Sequence, residues 1–564
     1  MAFLQNLQRN SGLATDPDWR KFVVRWSLVS LLLIAIAAYF SYGFFQFDEH
    51  YQVVELVGYK LGKTPKAELA WEFHDHIRPW FQPAIYYATA KALIGLGVEN
   101  PFLLATGFRA VSGLCGWLAV TALMLTAYVI FRDNRQRRAA VVILALLWLI
   151  PYLAVRTSSE SLSCSFLSMG VAVLLLGSAF ARNGTSARND GADEPSMAEG
   201  GMKISPAVAL IAGLCFGLAF EFRFQIAFAV MGVMAWILFR SGESWRGAIG
   251  KLALMSVGIA APIVLGTLID RWGYGEWTIV PWNYFRTDVL EGRPSVDGGA
   301  QPLWWYLVKM NSYPLAPITF LWTVGMLVTW IRHPRHIVTW ATLAFFLAHS
   351  LVPHKEMRYL FPVMPLATFF FVIAFVPGGD SRPRPAWLDA VWNRRRSWWA
   401  KALIGVNAIG LIYACSITIE PSLTFQRYVY DHFPTGCTMY VLGKETRSPF
   451  ENVGATMFFY RPPNFVVHRL KDEKQLESVV GSSSENFLVV RDRLTQWTCP
   501  ATSPSDVQLV YTTYPHWVEK FNWFNWLANS KRFSLYSIDV PSTATAESHL
   551  PESLSSLSDT NPKR

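Results

Sequence analysis

The sequence predicts an all-α, polytopic membrane bundle with a small mixed α/β domain outside the membrane near its C-terminal end. Hydrophobic residues make up 52% of the 564 residues and charged residues only 16%, whereas a typical soluble domain is about 25% charged. Long apolar runs recur from residue 23 to about residue 420, and short arginine-rich segments separate several of them. This composition excludes a disordered, collagen-like or disulfide-stapled protein and argues against a soluble enzyme.

The apolar runs predict about eleven spans. The first, 23–45, is long enough to cross about 30 Å of hydrocarbon at about 1.5 Å per residue. It has no small-residue cleavage site, so it is interpreted as a signal anchor. Two pairs of spans are joined by tight polar turns around Arg156 and Arg223, and these spans either cross only partly or lie protected inside the bundle. The ten later spans are 102–131, 139–155, 161–181, 205–222, 224–239, 249–270, 314–331, 337–352, 357–377 and 401–419.

The basic residues predict the orientation. Fifty Lys and Arg against 40 Asp and Glu give a net charge of +10, and the arginines cluster in short connections, as the positive-inside rule requires of cytosolic loops. Partnership with nucleic acid is therefore not expected. The predicted cytosolic segments are 1–22, 132–138, 182–204, 240–248, 332–336 and 378–400. The opposite side, luminal or periplasmic, receives 46–101, 271–313, the segment at His354 and everything after about 420.

Residues 421–541 predict a small α/β domain on that far side. Strand-like runs at 438–442, 464–468, 486–490 and 507–511 alternate with turn residues. Cys437 and Cys499 lie in this region, either as a disulfide or as two free thiols. The flexible loop 182–204 and the tail 542–564 are polar and are expected to be disordered. The remaining segment, 23–420, is predicted to be the catalytic membrane domain.

The first candidate site follows the first span, where Asp48 and Glu49 emerge at the far-side boundary. Ionisable groups at the bilayer edge are costly, which makes each a functional candidate. Neighbouring side chains on a helix diverge, so the two carboxylates are not expected to reach one atom. One of them suits a general base that deprotonates an acceptor hydroxyl. The alternative is an acidic cap on the helix that follows.

The second candidate site is the run from His354 to Arg358, where cations crowd into five residues at the far-side boundary. Arg358 as a bidentate fork, with Lys355 as a point charge, suits a phosphate. Glu356 is expected to neutralise or orient its neighbours. The alternative is a set of charges that extend from helix ends to the membrane surface.

The third candidate site is aromatic. Trp277 and Trp282 alternate with the polar residues Glu276 and Asn283 in loop 270–293, a pattern that suits sugar binding or an interfacial aromatic belt. The stretch 71–78 adds three further candidates for sugar or acceptor binding, namely Trp71, Glu72 and Arg78. Within it, residues 74–76 carry three potential metal ligands, but adjacent positions are poor metal spacing on a helix, so no metal is predicted. No phosphate-binding glycine loop, GxGxxG, paired CxxC or GxSxG element is present.

These segments together resemble a known family. HKEMRYLFPVMPL (354–366) and the carboxylate pair in FDEHYQVVELV (47–57) resemble the lipid-phosphate-mannose-dependent α-mannosyltransferases, which include the N-glycan and GPI-anchor mannosyltransferases. DRWGYGEWTIVPWN (270–283) looks most like the subgroup that adds the third mannose of the GPI anchor. Phe47 stands where that subgroup usually has proline. The resemblance covers about 40–375.

The resemblance implies a GT-C fold and an inverting transfer of mannose from a polyprenyl or dolichyl phosphate. Asp48 matches the catalytic base and Glu49 its neighbour. His354, Lys355 and Arg358 match the motif near the donor phosphate, with Glu356 orienting it, and Arg223 is a further phosphate candidate. The implied partners are the lipid bilayer, the polyprenyl (dolichyl) phosphate mannose donor and a mannosylated glycolipid acceptor, such as a GPI precursor or a bacterial equivalent. No cofactor is expected. The membrane is that of the endoplasmic reticulum in a eukaryote and the inner membrane in a bacterium.

Two alternatives belong to other classes of protein. A GT-C transferase of another sugar, or a protein O-mannosyltransferase, would also carry acidic residues after the first span but lacks the HKExR phrase. A transporter or flippase of lipid-linked sugars predicts inverted repeats and charges at the membrane midplane. The charges here lie at the predicted boundary and no repeat is apparent.

Overall fold

The computed structural model describes most of the chain. The described residues are 16–183, 201–293, 299–312, 316–378, 398–418, 420–443, 448–452, 454–480, 487–492, 507–514, 518, 520 and 532–538. They fall into two packing units, one within Met1–Glu420 and Val453–Tyr460 and the other within Pro421–Asn452 and Arg461–Arg564. Most of loop 182–204, the tail 542–564 and Cys499 lie outside the described residues, so the predictions made for them stay predictions.

The first unit is helical. Its α-helices are α1 (Pro17–Phe40), α2 (Phe47–Glu49), α3 (Glu55–Lys60), α4 (Trp71–His74), α5 (Phe81–Gly95), α6 (Pro101–Ile130), α7 (Asn134–Leu146), α8 (Leu149–Ala154), α9 (Ser159–Asn183), α10 (Pro206–Phe222), α11 (Ala227–Arg240), α12 (Trp245–Tyr274), α13 (Val280–Tyr284), α14 (Trp305–Lys309), α15 (Ala316–Arg332), α16 (Ile337–Leu351), α17 (Met364–Phe375) and α18 (Trp398–Ser416). Short 3₁₀ or π turns lie at Lys66–Glu68, Phe224–Ile226, Phe285–Leu290 and Met310–Ser312.

The long helices begin at sequence signals that satisfy their free amide groups. Asp16 caps α1 by accepting from the amides of Asp18 and Trp19 at 3.1 and 3.0 Å. Asn100 and Ser205 cap α6 and α10 in the same way, and a proline occupies the first helical position of all three helices. These caps fix where each apolar helix starts.

The predicted multi-pass membrane bundle is confirmed. Among the described residues, six helical segments have the length and apolar composition to cross a membrane, and four shorter apolar helices accompany them. The six are Pro17–Phe40, Pro101–Ile130, Ser159–Ala179, Trp245–Tyr274, Met357–Phe375 and Ala400–His432.

The segment 139–155, which was predicted to cross only partly or to lie protected inside the bundle, is not one continuous helix. The segment is broken into α7 and α8, and Leu147 between them has extended backbone angles. The amide of Trp148 donates to Oδ1 of Asn407 in α18 at 3.1 Å, while Nδ2 of Asn407 donates to the carbonyl of Leu146 at 2.8 Å. A side chain from a distant helix thus satisfies the backbone at the break, which the local apolar pattern does not reveal.

Helices α10 and α12 pack at close range through glycines. A Cβ added at Gly213 or Gly217 of α10 would lie 2.2 Å from the carbonyl oxygen of Met255 or 2.5 Å from that of Ile259 in α12. Gly258 of α12 faces Leu210 of α10 equally closely. Small residues allow such close approach in membrane helices. This packing holds the C-terminal end of α10, and therefore Arg223, in place.

The second unit contains a mixed sheet, as predicted. Its strands are β1 (Thr438–Leu442), β4 (Val466–Leu470), β5 (Phe487–Asp492), β6 (Val507–Thr512) and β7 (Phe533–Ile538), in the order β4-β1-β5-β7-β6. The short strand β2 (Glu451–Asn452) and the helices α19 (Pro421–His432) and α20 (Glu473–Val480) complete the regular elements of this unit, whereas the short strand β3 (Ala455–Thr456) belongs to the first unit. β1 pairs with β4 and β5 in parallel, whereas β7 pairs antiparallel with β5 and β6.

Candidate active site

Asp48 lies in the single helical turn α2, which opens the first loop. A five-residue π turn, His50–Val54, follows directly, and α3 continues from it. Such π turns inside helices are frequent at functional sites. Glu55, the first residue of α3, holds this segment in place. Its Oε1 lies 2.6 Å from Nε2 of His50, within hydrogen-bond distance, and accepts a hydrogen bond from the amide of Phe458 at 2.7 Å. Asp48 is only 8% exposed, so it stands on a rigid and largely buried turn.

Arg358 is surrounded by three carboxylates. Its guanidinium forms an ion pair with Asp48. Its Nε donates to Oε2 of Glu356 at 2.7 Å, and its Nη1 lies 3.8 Å from Oε1 of Glu160. Arg358 belongs to a 3₁₀ segment, Met357–Val363, that contains Pro362. Proline clashes with the carbonyl four residues earlier in an α-helix, which explains why α17 begins only at Met364.

Arg223 reaches the same cluster from the end of α10. Its backbone is extended, so α10 stops at Phe222 and a short 3₁₀ turn follows. Its Nη1 lies 2.7 Å from Oε1 of Glu160 and donates to Oγ of Ser159 at 3.1 Å. The two arginines that were predicted to contact phosphate, Arg223 and Arg358, therefore both lie next to the carboxylate of Glu160.

A pocket opens beside this cluster. Its empty volume is about 420 Å³, including the open mouth. Among the residues that line it are both carboxylates of the first loop, Arg78, Arg358 and Glu160. The complete lining is Asp48, Glu49, Gln52, Val53, Arg78, Pro79, Gln82, Pro83, Ser158, Ser159, Glu160, Phe222 and Arg358.

Glu49 points away from Arg358. Its Oε1 accepts from the amide of Phe45 at 3.0 Å. Burial raises the pKa of Glu49, and the nearby Arg156 opposes that rise. Arg156 donates to the carbonyl and hydroxyl oxygens of Ser41 at 2.5 and 3.0 Å. The two neighbouring carboxylates thus have separate partners, in keeping with their expected divergence.

The remaining residues of the cationic motif face different ways. Nζ of Lys355 donates to the carbonyl oxygens of Gln301 and Val352 at 3.0 and 2.6 Å, and Lys355 does not line the pocket. Nε2 of His354 lies 3.2 Å from Oε1 of Glu356. Burial alone would raise the pKa of Glu356, but Arg358 and His354 lower it to about 2. Glu356 is therefore an ionised partner that orients Arg358.

The stretch 71–78 contributes Arg78 and Glu72 near Asp48. Nε2 of Gln52 donates to Oε1 of Glu72 at 2.8 Å, and Nη2 of Arg78 lies 3.8 Å from the same oxygen. The pKa of Glu72 is raised above its ordinary value, mainly because the carboxyl group is buried. The positive charge of Arg78 opposes this rise, and the negative charge of Asp48 adds to it. Trp71 lies outside the pocket lining, and the guanidinium carbon of Arg293 stands 4.0 Å from its ring centre.

The aromatic loop residues lie near the surface. Glu276, Trp277 and Trp282 are exposed, and Glu276 lies 3.5 Å from Nε2 of His76. Nδ2 of Asn283 donates to the carbonyl of His76 at 3.3 Å and to Oγ1 of Thr278 at 2.9 Å. None of the four lines the pocket that contains Asp48. The sugar-binding role predicted for them therefore stays a prediction, with an interfacial aromatic belt as the alternative.

No metal cluster is found in the described part of the chain, where no three His, Cys, Asp or Glu side chains are placed to hold an ion. The acidic groups at the pocket are instead matched with arginines. The predicted independence of metal stays a prediction.

The comparison with known proteins gives the family. A family model described as the Alg9-like mannosyltransferase family matches residues 26–467. The chain belongs to the Alg9-like mannosyltransferase family. The match covers the first loop, both arginines and the HKEMR motif.

Individual relatives of the Alg9-like chain are distant. GPI alpha-1,2-mannosyltransferase 3 of Danio rerio is 31% identical over 116 residues, 20% of each chain. The protein of the same name from Xenopus laevis is 23% identical over 401 residues, which is 70% of this chain and 63% of that one. The crystal structure of ArnT from Cupriavidus metallidurans bound to undecaprenyl phosphate matches with a TM-score of 0.48 and 11% identity, over 92% of this chain and 98% of that one. The chain thus matches less than two thirds of the length of these two curated relatives.

Sequence reasoning missed two charged residues of the site in this Alg9-like chain. Arg156 follows α8, Glu160 is the second residue of α9, and each is 2% exposed. The two spans that the polar turn around Arg156 joins were expected to cross only partly or to lie protected inside the bundle, and both charged side chains are buried. Buried charges must be paired, so two ionisable residues in a turn protected from solvent were the signal that could have identified them.

Proposed function

We propose that the chain transfers mannose from a polyprenyl or dolichyl phosphate mannose to a mannosylated glycolipid, with inversion at the sugar carbon. The observation that carries the proposal is the ion pair between Asp48 and Arg358. It joins the carboxylate of the first loop to the cationic motif that lies more than 300 residues later in the sequence. A base for the acceptor and a cation for the leaving group then share one pocket.

We assign Asp48 the role of the general base. It takes the proton of an acceptor hydroxyl, whose oxygen attacks the anomeric carbon of the donor. The bond between that carbon and the phosphate oxygen breaks, and the electron pair stays on the phosphate. A β-linked donor then gives an α-mannoside in one displacement, with no covalent enzyme intermediate. Of the two first-loop carboxylates, Asp48 is the one that faces the arginines.

We assign Arg358 and Arg223 the role of binding the phosphate of the donor. A guanidinium matches phosphate oxygens in a bidentate fork and stabilises the charge that grows as the sugar leaves. In this structure Arg358 is paired with Asp48, so an incoming phosphate competes with the base for the same guanidinium. Donor binding thereby releases the Asp48 carboxylate at the moment when it is needed.

The acceptor side is assigned to the stretch 71–78 and the aromatic loop. Arg78 lines the pocket together with Asp48, and Glu72 lies next to Arg78, where both suit hydrogen bonds to sugar hydroxyls. The exposed rings of Trp277 and Trp282 suit stacking on the sugars of a longer acceptor. A GPI precursor carrying mannose is the acceptor that the relatives' names favour, and a bacterial glycolipid is the alternative. The pocket faces the luminal or periplasmic side in the predicted orientation.

The test uses purified protein in detergent with radiolabelled polyprenyl phosphate mannose and a panel of mannose-bearing lipids. Transfer to one acceptor class, with α configuration in the product, is the expected result, and Asp48→Ala abolishes it. Glucose and aminoarabinose donors on the same lipid serve as matched controls and are expected to be inactive. Transfer from one of these donors, but not from the mannose donor, would overturn the proposal.

A further inference from the structure

Glu160 is a charged residue of the pocket to which the proposed reaction assigns no role. Its side chain is 2% exposed and it lines the pocket beside Asp48 and Arg358. It is the second residue of α9, within the first helical turn, where the helix dipole stabilises a carboxylate. A buried charge at this position is costly unless it is paired.

The partners of Glu160 are the two arginines assigned to the phosphate. Its Oε1 lies 2.7 Å from Nη1 of Arg223 and 3.8 Å from Nη1 of Arg358. One arginine comes from the end of α10 and the other from the 3₁₀ segment before α17. Two guanidiniums at this spacing repel each other in a buried site, and the carboxylate between them offsets that repulsion. Oε2 of Glu160 is also within 3.3 Å of Oγ of Ser159, which fixes the carboxylate from its other side.

We propose that Glu160 is a positioning residue that aligns Arg223 and Arg358 on the donor phosphate and limits how tightly the lipid-phosphate product is held. The inference rests on the proposed function. Glu160 contacts the arginines, not the reacting atoms. When phosphate occupies the guanidiniums, Glu160 remains beside them and keeps part of their charge neutralised. Its charge therefore favours release of the anionic product.

This role predicts opposite effects on two measured quantities. Removing the negative charge leaves Arg223 without its carboxylate partner and Arg358 with one carboxylate fewer, so the lipid phosphate binds more tightly. The same change loosens the geometry of the two guanidiniums, so the chemical step slows. A residue with a merely structural role would lower activity and folded yield together and would not tighten the binding of product.

The experiment compares wild type with Glu160→Gln, which keeps the size of the side chain and removes its charge. The inhibition constant of polyprenyl phosphate, the product without the sugar, is expected to fall about tenfold, the equivalent of one hydrogen bond to a charged group. The kcat is expected to fall as well. In Glu160→Asp the charge is kept on a shorter side chain, so the inhibition constant should return to within about twofold of wild type, while kcat stays low.

Glu221→Gln is the matched control. Glu221 is also 2% exposed, is the penultimate residue of α10 and lies against Gly266 of α12 instead of an arginine. The substitution Glu221→Gln removes a buried carboxyl group from the same region and should leave the inhibition constant of polyprenyl phosphate at its wild-type value. Thermal midpoints of all variants show whether the folded state is kept.

The outcomes separate the two proposals. If Glu160→Gln binds polyprenyl phosphate as wild type does, or more weakly, while wild type transfers mannose, the inference about Glu160 is wrong and the proposed function stands. If Glu221→Gln tightens product binding to the same degree, the effect belongs to any buried carboxylate and the inference is again wrong. If wild type neither transfers mannose nor is inhibited by polyprenyl phosphate, the proposed function fails and the inference fails with it.

Discussion

At the residue scale, the chemistry depends on how charge is shared at Arg358. Asp48, Glu160 and Glu356 all reach one guanidinium. A phosphate that binds there must displace at least one of them, and Asp48 is the partner whose release serves the reaction. Glu356 is the neighbour of Arg358 in sequence and contacts two of its nitrogens, so it is suited to stay.

Lys355 is expected to stabilise the fold more than it binds donor. Its ammonium donates to two backbone carbonyls, which are left without these bonds in Lys355→Met. We expect a loss of about 1–3 kcal/mol in the free energy of unfolding, with KM for the donor changed far less than in Arg358→Ala. Thermal unfolding and donor titration measure the two effects. A donor KM raised as much in Lys355→Met as in Arg358→Ala would instead place Lys355 at the phosphate.

The lowered pKa of Glu356 predicts that the stability of the protein depends on pH. Its pKa is lowered to about 2 from an ordinary value of 4.5. A lowered pKa means that the group stabilises the folded state above pH 4.5 and that this contribution is lost as the pH falls toward 2. The thermal midpoint of Glu356→Gln should therefore lie below that of wild type by a constant amount above pH 4.5, and the gap should narrow below it. A gap that widens on acidification would contradict the assignment.

At the element scale, the glycine contact between α10 and α12 positions Arg223. Gly213→Ala places a methyl group against the carbonyl of Met255, so we expect a loss of about 1–3 kcal/mol from overpacking and a lower transfer rate. Gly250→Ala is the matched control, because Gly250 lies in α12 and a Cβ added there meets no neighbouring atom within 4 Å. Thermal midpoints in detergent measure both. Equal thermal midpoints for the two variants would show that the close contact between α10 and α12 does not contribute to stability.

The elements also show which sequence signals suffice. Strands at 438–442 and 507–511 were predicted to within one residue because apolar runs there are bounded by turn residues. β7, Phe533–Ile538, was missed, although it pairs with both β5 and β6. Its serines at 534 and 537 interrupt the apolar pattern, and its place in the sheet is decided by pairing partners distant in sequence, which a local pattern cannot show.

At the scale of the whole molecule, the sequence predicted the class of fold and two of the segments that line the pocket. Two local motifs, each recognisable alone, proved to contact each other through Asp48 and Arg358. Lys355 faces backbone carbonyls and Glu160 contacts the arginines, and local spacing alone predicts neither of these contacts. Side-chain direction depends on where α9, α10 and the 3₁₀ segment pack against one another, and that packing is not encoded in local spacing.

The predicted orientation is a property of the whole chain and can be measured with single cysteines. Arg135→Cys lies in a predicted cytosolic connection and Glu291→Cys in a predicted far-side loop, and both positions are exposed. In intact cells or sealed vesicles, an impermeant thiol reagent should label one from the cytosolic side and the other from the opposite side. Labelling of both from one side would contradict the orientation and the side assigned to the active site.

The most direct test of the account measures donor binding and single-turnover transfer side by side in wild type, Asp48→Asn and Arg358→Ala. We expect Asp48→Asn to bind polyprenyl phosphate mannose at least as well as wild type, because the competitor for Arg358 has lost its charge, and to transfer mannose about 10²–10⁴-fold more slowly. Arg358→Ala should lose donor binding. If Asp48→Asn transfers at the wild-type rate, or Arg358→Ala binds donor normally, the assignment of base and phosphate site is wrong.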